Sequence, residues 1–259
     1  MDQNNHSLFA DRVDRLEKNV YGSVKGQIRL ALLEQDLREY CPEYTSCSLR
    51  ILDIGGGSGR FARICANQGH SVLLLDSSEE MIRRVSESLV ECGPVGNIGV
   101  THQDFMEESC VFSEQFDLVL LHGSAEWMSS PEAAIVKACG CVRSGGYLSL
   151  LVFNKDRLTF KRGINGMLLQ EKAQSSKKIN TLTPPGAMSP DDIIKILTKY
   201  PGKMCSKSGI RIFHKFFRQG VSEQVLTPEE WLQQEQLYFR QEPFASLGEH
   251  THIIWQAKS

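Results

Sequence analysis

The sequence predicts an α/β fold: a seven-stranded, mostly parallel sheet with an antiparallel last strand and helices on both faces. Three observations carry this expectation. Apolar runs of strand length recur at residues 51–54, 70–76, 116–122 and 147–154, and continuous runs of that kind suit strands buried on both faces. Stretches of helical period separate them, the alternation that builds parallel sheets. The first run ends in Asp53-Ile-Gly-Gly-Gly-Ser-Gly59, a strand–turn–helix junction of the type at which such sheets bind ligands.

The glycine turn narrows the ligand. A dinucleotide fingerprint needs G-x-G-x-x-G with a pyrophosphate over the helix start. Counted from Gly55 and Gly57, the third glycine falls on position 60, and Arg60 stands there. The pattern is instead D-x-G-x-G-x-G. Asp53 at the strand end would repel a pyrophosphate and suits a cation. S-adenosylmethionine carries an α-ammonium and a sulfonium and no phosphate. The second run ends in Asp76, where an acidic side chain accepts hydrogen bonds from ribose hydroxyls.

In chain order, residues 8–19 have helical spacing, and a second helix is expected over 23–41 with Ile28, Leu32, Leu33 and Leu37 on its apolar face. Lys25 and Arg29 share one side of it. They are either solvated cations or, if the helix covers the cofactor site, Arg29 reaches the cofactor's carboxylate. Ser78 is the expected N-cap of a helix with Met81, Ile82, Val85 and Leu89 inside. A weak third strand covers 97–102 and runs into Asp104-Phe105-Met106. This corner brackets adenine with an acid and an apolar neighbour, or else Phe105 is core. His122 closes the fourth strand on the binding edge, and residues 126–128 are expected over the cleft. A helix opens at Pro131, the fifth strand spans 147–154, Ser189-Pro190 caps a further helix and Thr227-Pro228-Glu229-Glu230 another. The sixth strand is expected over 209–214 and the seventh over 251–256, as an antiparallel hairpin.

Composition excludes several classes. No apolar run approaches the ~18 residues of a membrane helix. The eight cysteines form no C-x-x-C pair, which speaks against a zinc site and for reduced thiols in a cytoplasm. The net charge of −2 hides a segregation: residues 155–178 carry seven Lys/Arg against two acids, and residues 203–218 carry five against none. Two basic blocks in an otherwise acidic chain suggest a surface facing a polyanion.

Several stretches then point to one family. They are residues 19–29 (Asn-Val-Tyr-Gly-Ser-Val-Lys-Gly-Gln-Ile-Arg), 52–57 (Leu-Asp-Ile-Gly-Gly-Gly), 121–127 (Leu-His-Gly-Ser-Ala-Glu-Trp), 208–214 (Ser-Gly-Ile-Arg-Ile-Phe-His) and Arg240-Gln-Glu-Pro243 with Leu247-Gly248. Over nearly its whole length the chain resembles the bacterial tRNA 5-carboxymethoxyuridine methyltransferases, which have the Rossmann-like class I methyltransferase fold. The resemblance implies one S-adenosylmethionine-dependent domain over 1–259, with an N-terminal helical cap at about 8–41 and a basic insertion at about 155–178. It implies a tRNA partner, with methyl transfer to the carboxylate of a modified wobble uridine. It also implies that Arg29, Gly55, Gly56, Asp76 and His122 contact the cofactor; Gly57 of the glycine turn and an adenine corner drawn from Asp104, Phe105 and Met106 are further expected contacts. That corner and the basic loop depart from the family pattern. Tyr21, Lys25, Asn154, Arg211, His214 and Arg240 are the expected substrate-side residues, with Arg211 first for holding a carboxylate. No general base is expected, because a carboxylate is already anionic at neutral pH. Two alternatives remain at this point: a small-molecule carboxyl- or N-methyltransferase of the same fold, and a non-catalytic protein that binds the same cofactor.

Overall fold

A computed structural model describes residues 23–91, 97–168, 184–213 and 226–259. The expected helix at 8–19 and the parts of both basic blocks at 169–178 and 214–218 lie outside the described residues, as do Tyr21 and His214.

Seven strands form one sheet in the order β3-β2-β1-β4-β5-β7-β6. They are β1 (Arg50–Ile54), β2 (Ser71–Asp76), β3 (Asn97–His102), β4 (Phe116–His122), β5 (Val142–Phe153), β6 (Gly202–Ile210) and β7 (His250–Ala257). The first five pair in parallel. Strand β7 enters between β5 and β6 and is antiparallel to both. The expected antiparallel pairing is therefore present, but not as a hairpin, because a helix and a 3-10 turn separate β6 from β7. The sixth strand also lies earlier than expected. It ends at Ile210, and Arg211 turns away with φ +63°.

Alternation sorts the core. Ile51 and Leu52, both fully buried, point to opposite faces of the sheet, as successive strand residues must. On one face lie α1 (Val24–Tyr40), α3 (Arg60–Asn67), α4 (Glu79–Glu91) and α8 (Pro228–Tyr238). Ile28, Leu32, Leu37, Phe61, Val85 and Trp231 pack there with Ile51, Leu74 and Leu120. The opposite face takes α5 (Pro131–Cys141) and α7 (Pro190–Leu197), with Ala134, Ile135, Ile193 and Leu197 against Leu52, Val119 and Leu121. Each fully buried Leu or Ile contributes roughly 1.5–3 kcal/mol. Among the described residues there are also two shorter helices, α2 (Glu43–Ser46) and α6 (Lys155–Ile164).

The caps follow the sequence. Ser78 Oγ accepts from Met81 N–H, Ser189 accepts from Asp192 N–H, and Thr227 forms a capping box with Glu230. Asp36 breaks the pattern: it sits among the leucines on the buried face of α1 and is fully buried.

Strand direction positions the site. Phe153 and Ile210 both pair with His250, so the ends of β5 and β6 and the start of β7 lie on the edge where β1, β2 and β4 also end. The chain crosses from the β3 side to the β4 side of β1, which makes β1/β4 the switch point of the sheet and the place for a ligand.

Candidate active site

One half of the edge is acidic. Gly55 has φ +65°, and a Cβ there would lie 2.5 Å from Ser124 Cβ. A Cβ on Gly56 would lie 2.8 Å from Asp53 Oδ2. Only glycine lets the turn run this close to its neighbours. At Gly57 the situation reverses: φ is +55° and no atom lies within 4 Å of a Cβ position, so the turn faces open space there. Asp76, at the end of β2, accepts Gly57 N–H at Oδ2 (3.0 Å) and Ser78 N–H at Oδ1 (2.9 Å). The carboxylate is locked in place, and its remaining lone pairs are left to accept from a ligand. Burial pushes its carboxyl up. Asp53 is more deeply buried, and burial with the nearby Asp76 charge pushes it up to about 7.

The middle of the edge holds His122, Glu126 and Arg29. His122 is the last residue of β4, and its ring meets Phe61 edge-on at 4.9 Å. Burial, with His252 and Arg29 nearby, holds His122 well below the usual histidine range. Glu126, on the 3-10 turn Ala125–Trp127, accepts Phe153 N–H at Oε1 (3.1 Å), and its buried Oε2 has no partner. Burial pushes Glu126 up to about 7. Arg29 Nη2 donates to His250 Nε2 at 3.4 Å, which brings α1 to the edge of the sheet.

The other half is cationic and internally compensated. Arg211 is buried and pairs through Nη1 with buried Glu249, while its Nε and Nη2 are buried without partners. Burial lowers its guanidinium to about 10, although Glu249 opposes the shift. Buried Arg157 lies in the same electrostatic cluster, as does Glu235, which accepts Ile212 N–H (2.7 Å) and Phe213 N–H (2.9 Å).

Several of the expected site residues have partners within the fold. Phe105 is core: it packs with the α5 face, and Lys137 Nζ sits 5.0 Å from its ring centroid. Its neighbour Met106 packs against the same core, whereas Asp104 is exposed and accepts Met106 N–H at 2.8 Å. Asn154 has its amide fully used. Its Nδ2 donates to Ser246 O and Gly248 O, and its Oδ1 caps α6 by accepting from Asp156 and Arg157 N–H. Arg240 is spent on the fold: it donates to Asp36 Oδ1 from Nε (2.9 Å) and Nη2 (2.7 Å), pairs with Glu39, and stacks on Phe239 and Tyr40. Lys25 is half-buried one turn from Arg29. Sequence reasoning missed Glu126 as a titratable group and Glu235, Glu249 and His250 altogether, and it counted Arg157 only within the basic block at 155–178, whereas the structure buries it. The one available signal was polar residues placed on otherwise buried elements, such as His250 and His252 flanking Thr251.

The comparisons with known proteins agree with this fold. Residues 4–186 match the family described as a methyltransferase domain. The chain is 32% identical over 246 residues to the tRNA 5-carboxymethoxyuridine methyltransferases of Escherichia coli O157:H7 and K12, covering 95% of this chain and 94% of theirs. It is 31% identical to a Yersinia pestis ubiquinone/menaquinone biosynthesis C-methyltransferase, but over 42% of the chain. Among solved structures, magnesium protoporphyrin IX methyltransferase from Synechocystis PCC 6803 superposes with a TM-score of 0.63 at 14% identity, covering 96% of this chain and 99% of that one. A plantazolicin methyltransferase gives 0.60 at 15%, covering 95% and 91%. At such identities these two speak for the fold.

Proposed function

From the premise that the chain belongs to the tRNA 5-carboxymethoxyuridine methyltransferase family, we propose that it methylates the carboxylate of that wobble uridine in tRNA, using S-adenosylmethionine. The observation that carries the reading is identity along nearly the whole chain, on a fold whose switch point is lined by a locked carboxylate and an open glycine turn.

The residues fit the cofactor. Asp76 offers fixed acceptors suited to ribose hydroxyls, and Gly57 leaves room beside them. Asp53 and Glu126 supply negative charge for a cation, and each carboxyl is held near 7 while no cation is present. Arg29, which reaches His250 at the start of β7, is suited to meet a carboxylate. When bound, the cofactor supplies a sulfonium methyl that a carboxylate oxygen can take in one displacement.

No proton moves in that displacement, so the chain's residues need only orient the acceptor and exclude water. Arg211 is suited to hold the acceptor carboxylate. Its free Nε and Nη2 edge presents two parallel donors, the arrangement that matches a carboxylate. The exposed cations Lys155 and Lys161 on α6, the helix that follows the end of β5, suit tRNA phosphates.

The test uses tRNA from a strain lacking this protein, incubated with the purified chain and S-adenosylmethionine, followed by nucleoside mass analysis. The expected product is the wobble nucleoside heavier by one CH2 and sensitive to mild alkali, as an ester is. Labelled methyl that never enters tRNA would overturn the proposal.

A further inference from the structure

A line of buried polar side chains crosses the sheet beneath the cleft. Asp36 on α1 takes Arg240 at Oδ1 and approaches His252 Nδ1 at 2.6 Å through Oδ2. His252 Nε2 lies 2.8 Å from Ser149 Oγ, and the same Oγ lies 2.8 Å from His122 Nε2. The line thus runs from α1 through β7 and β5 to the end of β4. Asp36, His252 and Ser149 are all fully buried, so water does not set their proton positions. The far nitrogen, His122 Nδ1, is buried and has no partner.

Proton counting orients the line. Burial alone would raise the Asp36 carboxyl, but the His252 and Arg240 contacts hold it below its usual value, so it is an acceptor. The nitrogen facing it, His252 Nδ1, must then carry hydrogen. Counted with His252 as the neutral imidazole, its Nε2 is a bare lone pair. Ser149 has one proton and gives it to that lone pair. Its oxygen can then only accept from the other side, so His122 carries hydrogen on Nε2 and leaves Nδ1 bare.

We infer that Asp36, His252 and Ser149 are positioning residues that fix the His122 tautomer, so that Nδ1 always presents an acceptor to a hydrogen-bond donor of the bound cofactor. Of the cofactor's donors, the α-ammonium is the cationic one and gains most from a neutral acceptor. This rests on the cofactor reading above, but the tautomer is a property of the chain alone. The same logic orients metal-binding histidines, whose second nitrogen is set by its partner.

The line also has a built-in inversion. In Asp36→Asn the amide oxygen is claimed by Arg240, which can only donate. The amide NH2 then faces His252 Nδ1 and must donate to it. His252 shifts its hydrogen to Nε2, Ser149 turns its proton toward His122, and His122 Nδ1 becomes a donor.

Nitrogen-15 NMR of the full-length, ligand-free chain reads this directly, with His122 assigned by its substitution. The native protein is expected to show His122 with hydrogen on Nε2, and Asp36→Asn to show it on Nδ1. Ser149→Ala removes one oxygen and should uncouple the two ends, so that adding Asp36→Asn to it no longer changes His122. Affinity for S-adenosylmethionine should fall at least about tenfold in both single variants. A native His122 with hydrogen on Nδ1 would overturn the inference, as would one tautomer and one affinity shared by the native protein and Ser149→Ala. The latter comparison stands even if Asp36→Asn does not fold. A native protein with the expected tautomer that binds no S-adenosylmethionine sinks the cofactor reading instead.

Discussion

The two halves of the binding edge solve opposite problems. At the ends of β1 and β2, Asp53 and Asp76 are brought together, and the partners recorded for Asp76 are backbone N–H groups. At the ends of β5 and β6, Arg211 and Arg157 are buried beside Glu249 and Glu235. The first half leaves its charge for a ligand to neutralise. The second neutralises most of its charge internally and leaves one guanidinium edge over. The first half is therefore strained electrostatically in the free protein, whereas in the second half Glu249 and Glu235 offset the buried cations and the Nε–Nη2 edge of Arg211 is left without a partner. On the function proposed above, the first half would take the sulfonium's charge and the second the acceptor carboxylate.

The largest expected effect comes from breaking the satisfied half. Glu249→Gln leaves the buried Arg211 cation short of its partner and should destabilise the fold by about 3–5 kcal/mol in urea denaturation. A loss below about 1 kcal/mol would mean that Glu235 alone compensates the cluster.

The acidic half should respond in the opposite direction. Asp53 is pushed up to about 7 from 3.8. Between those values the unfolded chain has released this proton while the folded chain keeps it. Stability therefore falls as pH rises through the window, and the full penalty applies above about 7. Asp53→Asn removes the penalty, stabilising the ligand-free protein at pH 8 by up to about 4 kcal/mol and leaving it nearly unchanged at pH 4. The gain should be accompanied by weaker binding of S-adenosylmethionine. A melting temperature that shifts equally at both pH values would remove Asp53 as the source of the strain.

Asp76→Ala should weaken binding of S-adenosylmethionine by roughly 10- to 150-fold, the equivalent of about 1.5–3 kcal/mol for hydrogen bonds to a charged acceptor. Calorimetry giving native affinity would remove the end of β2 from the site.

Smaller effects sharpen the acceptor half. Arg211→Lys keeps the charge but loses the planar fork, and should lower the single-turnover methylation rate about tenfold with little change in stability. That rate should be flat from about pH 6 to 9 at saturating cofactor, because the acceptor is already ionised. Affinity for the cofactor alone should decline below about pH 7, as Asp53 and Glu126 take up protons. A rate climbing tenfold per pH unit across neutrality would exclude a carboxylate acceptor. Replacing Lys155 and Lys161 together by Gln should reduce the salt slope of tRNA binding by roughly 1.4–1.8, at about 0.7–0.9 per phosphate contact.

Much of this was open to reading in advance, because some signals are local. The apolar runs and glycine turn needed only strand length and φ > 0, so β1, β2, β4 and β5 and the loop after Asp53 followed from neighbouring residues. Caps at Ser78, Ser189 and Thr227 are likewise decided within four residues. The insertion of β7 between β5 and β6 was not local. The strand's apolar pattern is the same in either position, and only packing across a connection holding α8 selects its place. Arg240 looked like a cleft residue because it lies in a stretch matched to the family, and Asn154 because it closes the fifth strand on the binding edge. Their partners, Asp36 and the Ser246 and Gly248 carbonyls, lie 204, 92 and 94 residues away in the chain. Phe105 was ambiguous for the same reason, since apolar surface suits a core and an adenine equally. Sequence by itself determined the strand–turn–helix scaffold and the acids that end β1 and β2, because these are short-range consequences of side-chain type. Only the tertiary structure decided which charges are spent on one another, because pairing depends on groups that burial brings together and distance along the chain does not reveal.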